Sequence, residues 1–290
     1  MPKPLAPLHP TPTCCTLITG ASRGIRRAIA EECARLGHNL VLVALPNEAV
    51  FALQHHLSSC YSGRVLAYET DLTQPHAPEQ LYTWCVEQGI VVNKLVNNAG
   101  LGQQGAFEAL AAGGKQTLMQ LNMLVLVSLV HLFLPMLRQH AVSHILNVGS
   151  VASFSPIPYK CLYSASKAFI LTLSRALRYE LRHTSVQVSC LCPGPTLTNA
   201  RTRQNARSIG STGTLLEMQP SEVARYAVAG MLAGREIIVP GWKHKLVEAF
   251  ARYLPTYWTI SASGRLFAQG APHGRLPSLA GNKPTSHNDY

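Results

Sequence analysis

Short apolar or β-branched runs alternate along the chain with stretches whose apolar positions recur every three to four residues. Cys14 to Thr19, Leu40 to Ala44, Arg64 to Tyr68, Lys94 to Asn97, His144 to Val148, Val186 to Leu191 and Glu236 to Val239 read as strands. Between them, Ile25 to Leu36, Pro78 to Gln88, Leu162 to Arg182 and Pro220 to Ala233 carry the helical period. Strands alternating with helices imply right-handed βαβ crossovers, because parallel neighbours need a connection long enough to pass over the sheet. The pattern predicts an α/β fold: a doubly wound parallel sheet of about seven strands with helices on both faces.

Where periodicity fails, the pattern predicts loops and ends. Residues 1–12 read as a flexible N-terminal segment, proline-rich and without the apolar stretch of a secretory signal. Residues 13–260 read as one catalytic domain, with 195–218 as a substrate lid, since Pro195 to Gly213 is rich in Thr, Asn, Arg, Ser and Gly. Trp242 to Trp258 places Leu246, Val247, Phe250, Ala251 and Leu254 at helical spacing, a helix suited to closing the substrate side or covering the sheet edge. From about Ser261, Gly, Pro, Ser and Asn take over, so 261–290 reads as a mobile tail. Leu118 to Leu137 is long enough to span a bilayer, but Gln120, Asn122, Ser128, His131 and Pro135 interrupt it, and it reads as a core helix with no transmembrane segment expected.

Composition narrows the function classes. A chain of 290 residues with 47% hydrophobic and 13% charged positions is globular rather than disordered. The formal charge of +11 contains no run of five Lys/Arg, so it reads as scattered solvated charge, and no nucleic-acid partner is expected. Eight cysteines without a secretory signal, several inside apolar patterns, point to packed reduced thiols and a cytoplasmic location. No CxxC spacing occurs and the 12 histidines form no ligand set, so no metal is expected.

The first predicted strand runs into Thr19-Gly20-Ala21-Ser22-Arg23-Gly24-Ile25 and then a helix. Glycines in such a turn let backbone approach a pyrophosphate, and unpaired N–H groups at the helix start hold its charge. At these residues the chain resembles the classical short-chain dehydrogenase/reductase family, whose first motif is TGxxxGxG and whose fold is of Rossmann type. Thr19, Gly20 and Gly24 match; the last glycine is replaced by Arg26. A long side chain there either weakens binding or tilts the helix, or else points outward to engage phosphate. The resemblance continues through Asp71-Leu72, which in the family touches the adenine, and Asn98-Ala99-Gly100 after the fourth strand. The second strand ends Val43-Ala44-Leu45, with no acid to accept from an adenosine ribose, whereas Arg23 supplies positive charge. NADP(H) is therefore favoured as cofactor, with NAD(H) not excluded.

Tyr163 and Lys167 lie four residues apart, hence one above the other on a helix. A phenol titrates near pH 10, and a neighbouring cation favours its ionised form, so Lys167 is expected to lower Tyr163 toward use as an acid or base. Ser150, at a strand end, offers a hydroxyl to a carbonyl oxygen. Asn122 is an amide within an apolar helix, which requires a bonded partner. The resemblance implies that Asn122, Ser150, Tyr163 and Lys167 form the catalytic tetrad, with Asn122 holding a water that relays protons from the lysine. It also implies that Pro193, Gly194, Thr196 and Thr198 flank the nicotinamide, with Ser22 and Ile25 in the phosphate turn.

Together these parts imply hydride transfer between a nicotinamide and a carbonyl or secondary alcohol. Val151 to Cys161, with Phe154, Pro156, Ile157 and Pro158, is expected to line an apolar substrate pocket, so a hydrophobic carbonyl substrate is expected: a 3-oxoacyl thioester, a steroid-like ketone or a simple ketone or aldehyde. Arg201, Arg203 and Arg207 of the lid are available to an acidic group. The family implies a homodimer or homotetramer through the helices bearing Asn122 and Tyr163. The alternative reading is a nucleotide-binding regulatory scaffold that keeps the fold while Arg26 impairs turnover.

Overall fold

The computed structural model describes residues 14–196 and 217–268. Seven parallel strands form one sheet: β1 (Cys14–Thr19), β2 (Asn39–Ala44), β3 (Val65–Glu69), β4 (Val91–Asn97), β5 (Ser143–Val148), β6 (Val186–Leu191) and β7 (Ile237–Ile238). Their order, β3-β2-β1-β4-β5-β6-β7, reverses direction between β1 and β4. That reversal leaves a crevice beyond the carboxyl ends of these two strands, where ligands of doubly wound sheets bind.

Side-chain alternation along each strand divides the core into two layers. On one face Leu17, Val41, Val43, Leu95, Ile145 and Cys190 are buried. They are covered by α3 (Ala77–Glu87), α5 (Val125–Leu137) and α6 (Cys161–Glu180). On the other face Ile18, Leu40, Leu42, Leu146 and Leu191 pack beneath α1 (Gly24–Arg35), α2 (Val50–Cys60) and α7 (Pro220–Leu232). Burying side chains of this size contributes about 1.5–3 kcal/mol each, which drives the layering.

The apolar segment expected around Leu118 to Leu137 is a composite helix. It comprises α4 (Ala112–Met119), a π-helical turn at Gln120–Leu124, and α5. By length and composition Ala112–Leu137 would suffice to cross a membrane. Its residues Val125, Leu126, Leu129, Val130, Phe133 and Leu137 are nevertheless buried against the sheet, whereas Leu124 and Val127 are exposed.

The helix expected over Trp242 to Trp258 is divided. Its parts are α8 (Trp242–Tyr253) and α9 (Thr256–Ala268), because Leu254 precedes Pro255 and adopts ψ 145, the extended backbone favoured before proline. Regular structure thus continues to Ala268 instead of ending near Ser261. Specific contacts hold α9: Ser155 Oγ donates to Thr259 Oγ1 at 2.9 Å, and Lys160 Nζ lies 4.2 Å from the Phe267 ring centroid. Residues 1–12 and the remainder of the expected tail lie outside the described residues, as does most of the expected lid, including Arg201, Arg203 and Arg207.

Candidate active site

The floor of the crevice is built by β1 and β4. Thr19 Oγ1 accepts from the backbone N–H groups of Asn98 and Ala99, at 3.0 Å each, tying the first turn to the fourth. Gly20 turns away from β1 at φ +67, a left-handed conformation that glycine adopts without penalty. Arg23 is the N-cap of α1 and makes no side-chain cap, so the first-turn amides face the crevice without a capping acceptor. Asn98 is buried, and its Nδ2 has no partner among the described residues.

An acid reaches this turn after all. Glu48 accepts a hydrogen bond from Ser22 Oγ and pairs with Arg23 at 3.2 Å. It does so because Asn47 and Ala49, on either side of it, take φ values of 66 and 56 and swing the chain back toward β1. Such conformations cost about 1–2 kcal/mol for a non-glycine residue. The sequence expectation that no acid follows β2 holds only at the strand end; Glu48 arrives from beyond it and engages Arg23, the residue that favoured NADP(H).

Arg26 points inward. Its Nη2 donates to the Gly100 carbonyl oxygen at 3.0 Å, while Cδ and Nη1 lie 3.0 and 3.1 Å from where a Gly20 Cβ would stand. The guanidinium therefore bridges the ends of β1 and β4. Desolvation pulls it below its usual pKa; Glu48 and Tyr163 oppose that shift and Arg23 adds to it, which places Arg26 within electrostatic reach of the tyrosine. Of the outcomes open from sequence, the outward side chain is not the one the structure shows: Arg26 points into the crevice while α1 stays regular from Gly24 to Arg35.

The four residues of the expected tetrad lie beside this bridge. Lys167 Nζ donates to the Val148 carbonyl at the end of β5, 2.8 Å away, and lies 5.8 Å from the Tyr163 ring centroid. Ser150 caps the short 3-10 turn Val151–Ser153, accepting from Ala152 N at 3.1 Å. Asn122 sits in the π-helical turn, a feature common at functional sites. Its Oδ1 accepts from Leu101 N at 2.8 Å, and its Nδ2 donates to Leu101 O and Ser166 Oγ, both at 3.0 Å. This amide locks the loop after β4 onto the helices. Gly100 fits between them because a Cβ there would stand 3.1 Å from Asn122 Oδ1 and 3.6 Å from Lys167 Nζ.

Charge in the site differs from the expectation that Lys167 lowers the phenol. Burial pushes Tyr163 above its usual value, opposed by hydrogen bonding with Ser150 and by the Arg26 charge. Lys167 is itself brought down to about 8, chiefly by desolvation. The physical reason is shared: both groups lie in a cleft with little water, so each disfavours its charged form.

The remaining motif residues are held by local bonds. Asp71 accepts from Thr73 N, Thr73 Oγ1 and Gln74 Nε2 at 2.9, 2.7 and 3.1 Å, while Leu72 is buried. Burial raises the Asp71 carboxyl, and these hydrogen bonds outweigh it. Pro193 O accepts from Val151 N at 3.0 Å, and Thr196 Oγ1 donates to Gly194 O at 3.0 Å; Thr198 lies outside the described residues. His244, a residue with no sequence signal, packs on Gly194 and bonds Pro240 O through Nδ1 at 2.8 Å. A cavity of about 420 Å³ is lined by Phe154, Pro156, Ile157, Pro158, Cys161 and Ile260 among others. None of Ser150, Tyr163 and Lys167 lines it, so the expected pocket segment borders a space beside the tetrad, beneath α9.

The uncapped helix end, the unpartnered Asn98 amide and the Lys167 ammonium fit an anionic dinucleotide. The Arg26 guanidinium, as placed, does not. A sequence profile of the short chain dehydrogenase family matches residues 15–208. The chain belongs to this family. It is 32% identical over 181 residues to the 17-beta-hydroxysteroid dehydrogenase type 3 of Rattus norvegicus, covering 61% of this chain and 58% of that relative. This chain thus spans less than two thirds of that protein's length. A rhamnolipids biosynthesis 3-oxoacyl-[acyl-carrier-protein] reductase of Pseudomonas aeruginosa is 30% identical over 229 residues, covering 75% and 88%. Among solved structures, a short-chain dehydrogenase from Sphingobium yanoikuyae in complex with NADPH is 30% identical, covers 92% of this chain and 99% of its own, and superposes with a TM-score of 0.70.

Proposed function

We propose that this protein is an NADP(H)-dependent oxidoreductase that interconverts a carbonyl and a secondary alcohol on a hydrophobic substrate. The observation carrying this reading is the convergence of Ser150, Tyr163, Lys167 and Asn122 at the carboxyl ends of β4 and β5, beside an uncapped helix end. A bound nicotinamide would supply the hydride to the carbonyl carbon, or accept it in the reverse direction. Tyr163 gives the carbonyl oxygen its proton in reduction and takes it back in oxidation. The Ser150 hydroxyl donates to the same oxygen as negative charge develops. Lys167 offers donors to ribose hydroxyls, and Asn122 fixes the loop carrying Gly100 against them.

NADP(H) is supported by Arg23, whose guanidinium is largely exposed in its pair with the half-buried Glu48, so solvent screens the pair and a dianionic 2′-phosphate competes for it; NAD(H) remains the second candidate. Steroid-like and 3-oxoacyl substrates are supported by the names of the relatives and by the apolar segment beside the tetrad. A homodimer or homotetramer is supported by the exposed Leu124 and Val127 on a helix otherwise built into the core. A reducing, cytoplasmic compartment is supported by the absence of disulfides among the eight cysteines. The second reading, a nucleotide-regulated scaffold with weak turnover, is favoured by Arg26 alone.

The test is a fluorescence titration with NADPH and NADH followed by turnover assays on 3-oxoacyl, steroid and simple ketone substrates. Tyr163→Phe is expected to lower kcat by about 10²–10⁴-fold while cofactor affinity stays nearly unchanged. Normal turnover in that variant removes Tyr163 from the reaction.

A further inference from the structure

We propose that Arg26 is a bolt across the dinucleotide crevice: the Arg26–Gly100 contact and a seated nicotinamide cofactor exclude each other, so Arg26 sets the protein's affinity for that cofactor. This rests on the cofactor reading above and assigns a role to the one residue that departs from it.

The geometry is that of a side chain filling a ligand's space. Gly20 follows β1 and Gly100 follows β4, the two strands on either side of the reversal in strand order. The glycines of such a turn keep the space above it clear of side chains, so that backbone can approach a pyrophosphate. Here that room is taken by Arg26 itself, with Cδ and Nη1 at 3.0 and 3.1 Å from the Cβ position of Gly20. The same side chain then reaches the Gly100 carbonyl at 3.0 Å. It lies over Gly20 and is bonded to Gly100.

Nothing in the backbone requires this residue. Arg26 lies within the regular helix α1, where alanine is the best former and glycine is tolerated at modest cost. No carboxylate within salt-bridge distance holds Arg26 among the described residues: Glu48, the acid nearest in effect, is engaged by Ser22 and Arg23.

An anion hook, with Arg26 staying in place and gripping phosphate, is a poorer account. The guanidinium lies on the floor that the phosphate would occupy, so it must leave Gly100 before the ligand enters. Once swung outward, its pairing with phosphate is solvent-screened and worth little. The contact given up is partly buried and charge-assisted, and breaking it costs more than the screened pairing returns. Seating the ligand therefore works against the bolt.

The experiment measures NADPH and NADH affinity by fluorescence titration for the parent protein, Arg26→Ala and Arg26→Gly, with far-UV circular dichroism to verify folding. Arg26→Ala is expected to bind at least about tenfold more tightly than the parent, the size of one charge-assisted contact. Arg26→Gly is expected to follow it. If the glycine variant folds poorly, the alanine variant carries the test, because its residue favours the helix. Equal or weaker binding by a folded Arg26→Ala overturns the bolt while leaving the cofactor site standing. No binding by any of the three overturns the bolt and the cofactor reading together.

Discussion

At the scale of single residues, the site is governed by how little water reaches its charges. Lys167, brought down to about 8, carries its ammonium below that pH and loses it above. If the ammonium holds the ribose, cofactor affinity is expected to weaken as pH rises through about 8, and Lys167→Met is expected to bind weakly at every pH without this dependence. A flat parent profile between pH 7 and 9 would count against the assignment. The ribose edge is governed by a second balance, that between Arg23 and Glu48. Removing the acid frees Arg23 and ends the repulsion of a 2′-phosphate, so Glu48→Gln is expected to raise the preference for NADPH over NADH several-fold. Arg23→Ala is expected to lower it, and paired titrations of the two dinucleotides read both changes. The family resemblance named Tyr163, Lys167, Ser150 and Asn122 from sequence, and the structure brings these four side chains close together. Sequence did not show Glu48, whose reach depends on left-handed backbone at Asn47 and Ala49, nor the direction of Arg26, which depends on space left by Gly20.

At the scale of elements, every strand was legible because buried strands advertise themselves by short apolar runs, and most helices by their period, whereas α2 was not read. The π-helical turn at Gln120–Leu124 was hidden, since one extra residue in a segment whose apolar positions lie on every side of the helix leaves the pattern unchanged. The break at Leu254 was written in Pro255, but the apolar spacing continued across it. One element junction yields a stability prediction. His144, near the start of β5, is buried, and desolvation, with the charge of Lys94 adding to it, takes it from 6.5 to about 4. Between those values the unfolded chain binds a proton that the folded protein refuses. The stabilisation is thus complete above pH 6.5 and lost as pH falls toward 4, by up to about 3 kcal/mol. Urea midpoints measured from pH 7 to pH 4 are expected to fall accordingly, and His144→Phe is expected to flatten that part of the profile. An unchanged slope in the variant would assign the acid sensitivity elsewhere.

At the scale of the whole molecule, two apolar surfaces compete to carry the proposed self-association. One is the face of the α4–α5 helix bearing Leu124 and Val127, 54% and 40% exposed. The other belongs to α8 and the residues after it, where Trp242, Phe250 and Trp258 are 68%, 61% and 67% exposed. Area alone favours the second, yet association also costs the ordering of whatever is mobile at the interface. The opposite side of the α4–α5 helix is locked into the core by Phe133, Leu129 and Leu126, so its outer face is already ordered. The α8 surface interleaves its aromatics with Lys243, Lys245 and Glu248, charges that a dry interface would have to desolvate. The first surface is therefore expected to carry the dimer. Leu124→Glu is expected to shift sedimentation velocity from dimer to monomer at micromolar concentration, whereas Phe250→Glu is expected to leave it unchanged. Because Leu124 shares its turn with Asn122, the monomer is also expected to bind cofactor less firmly, as the Asn122 bonds to the loop of Gly100 and Leu101 lose their support. A monomeric Leu124→Glu with full cofactor affinity would separate assembly from the site, and a dimer undone by Phe250→Glu would move the interface to α8.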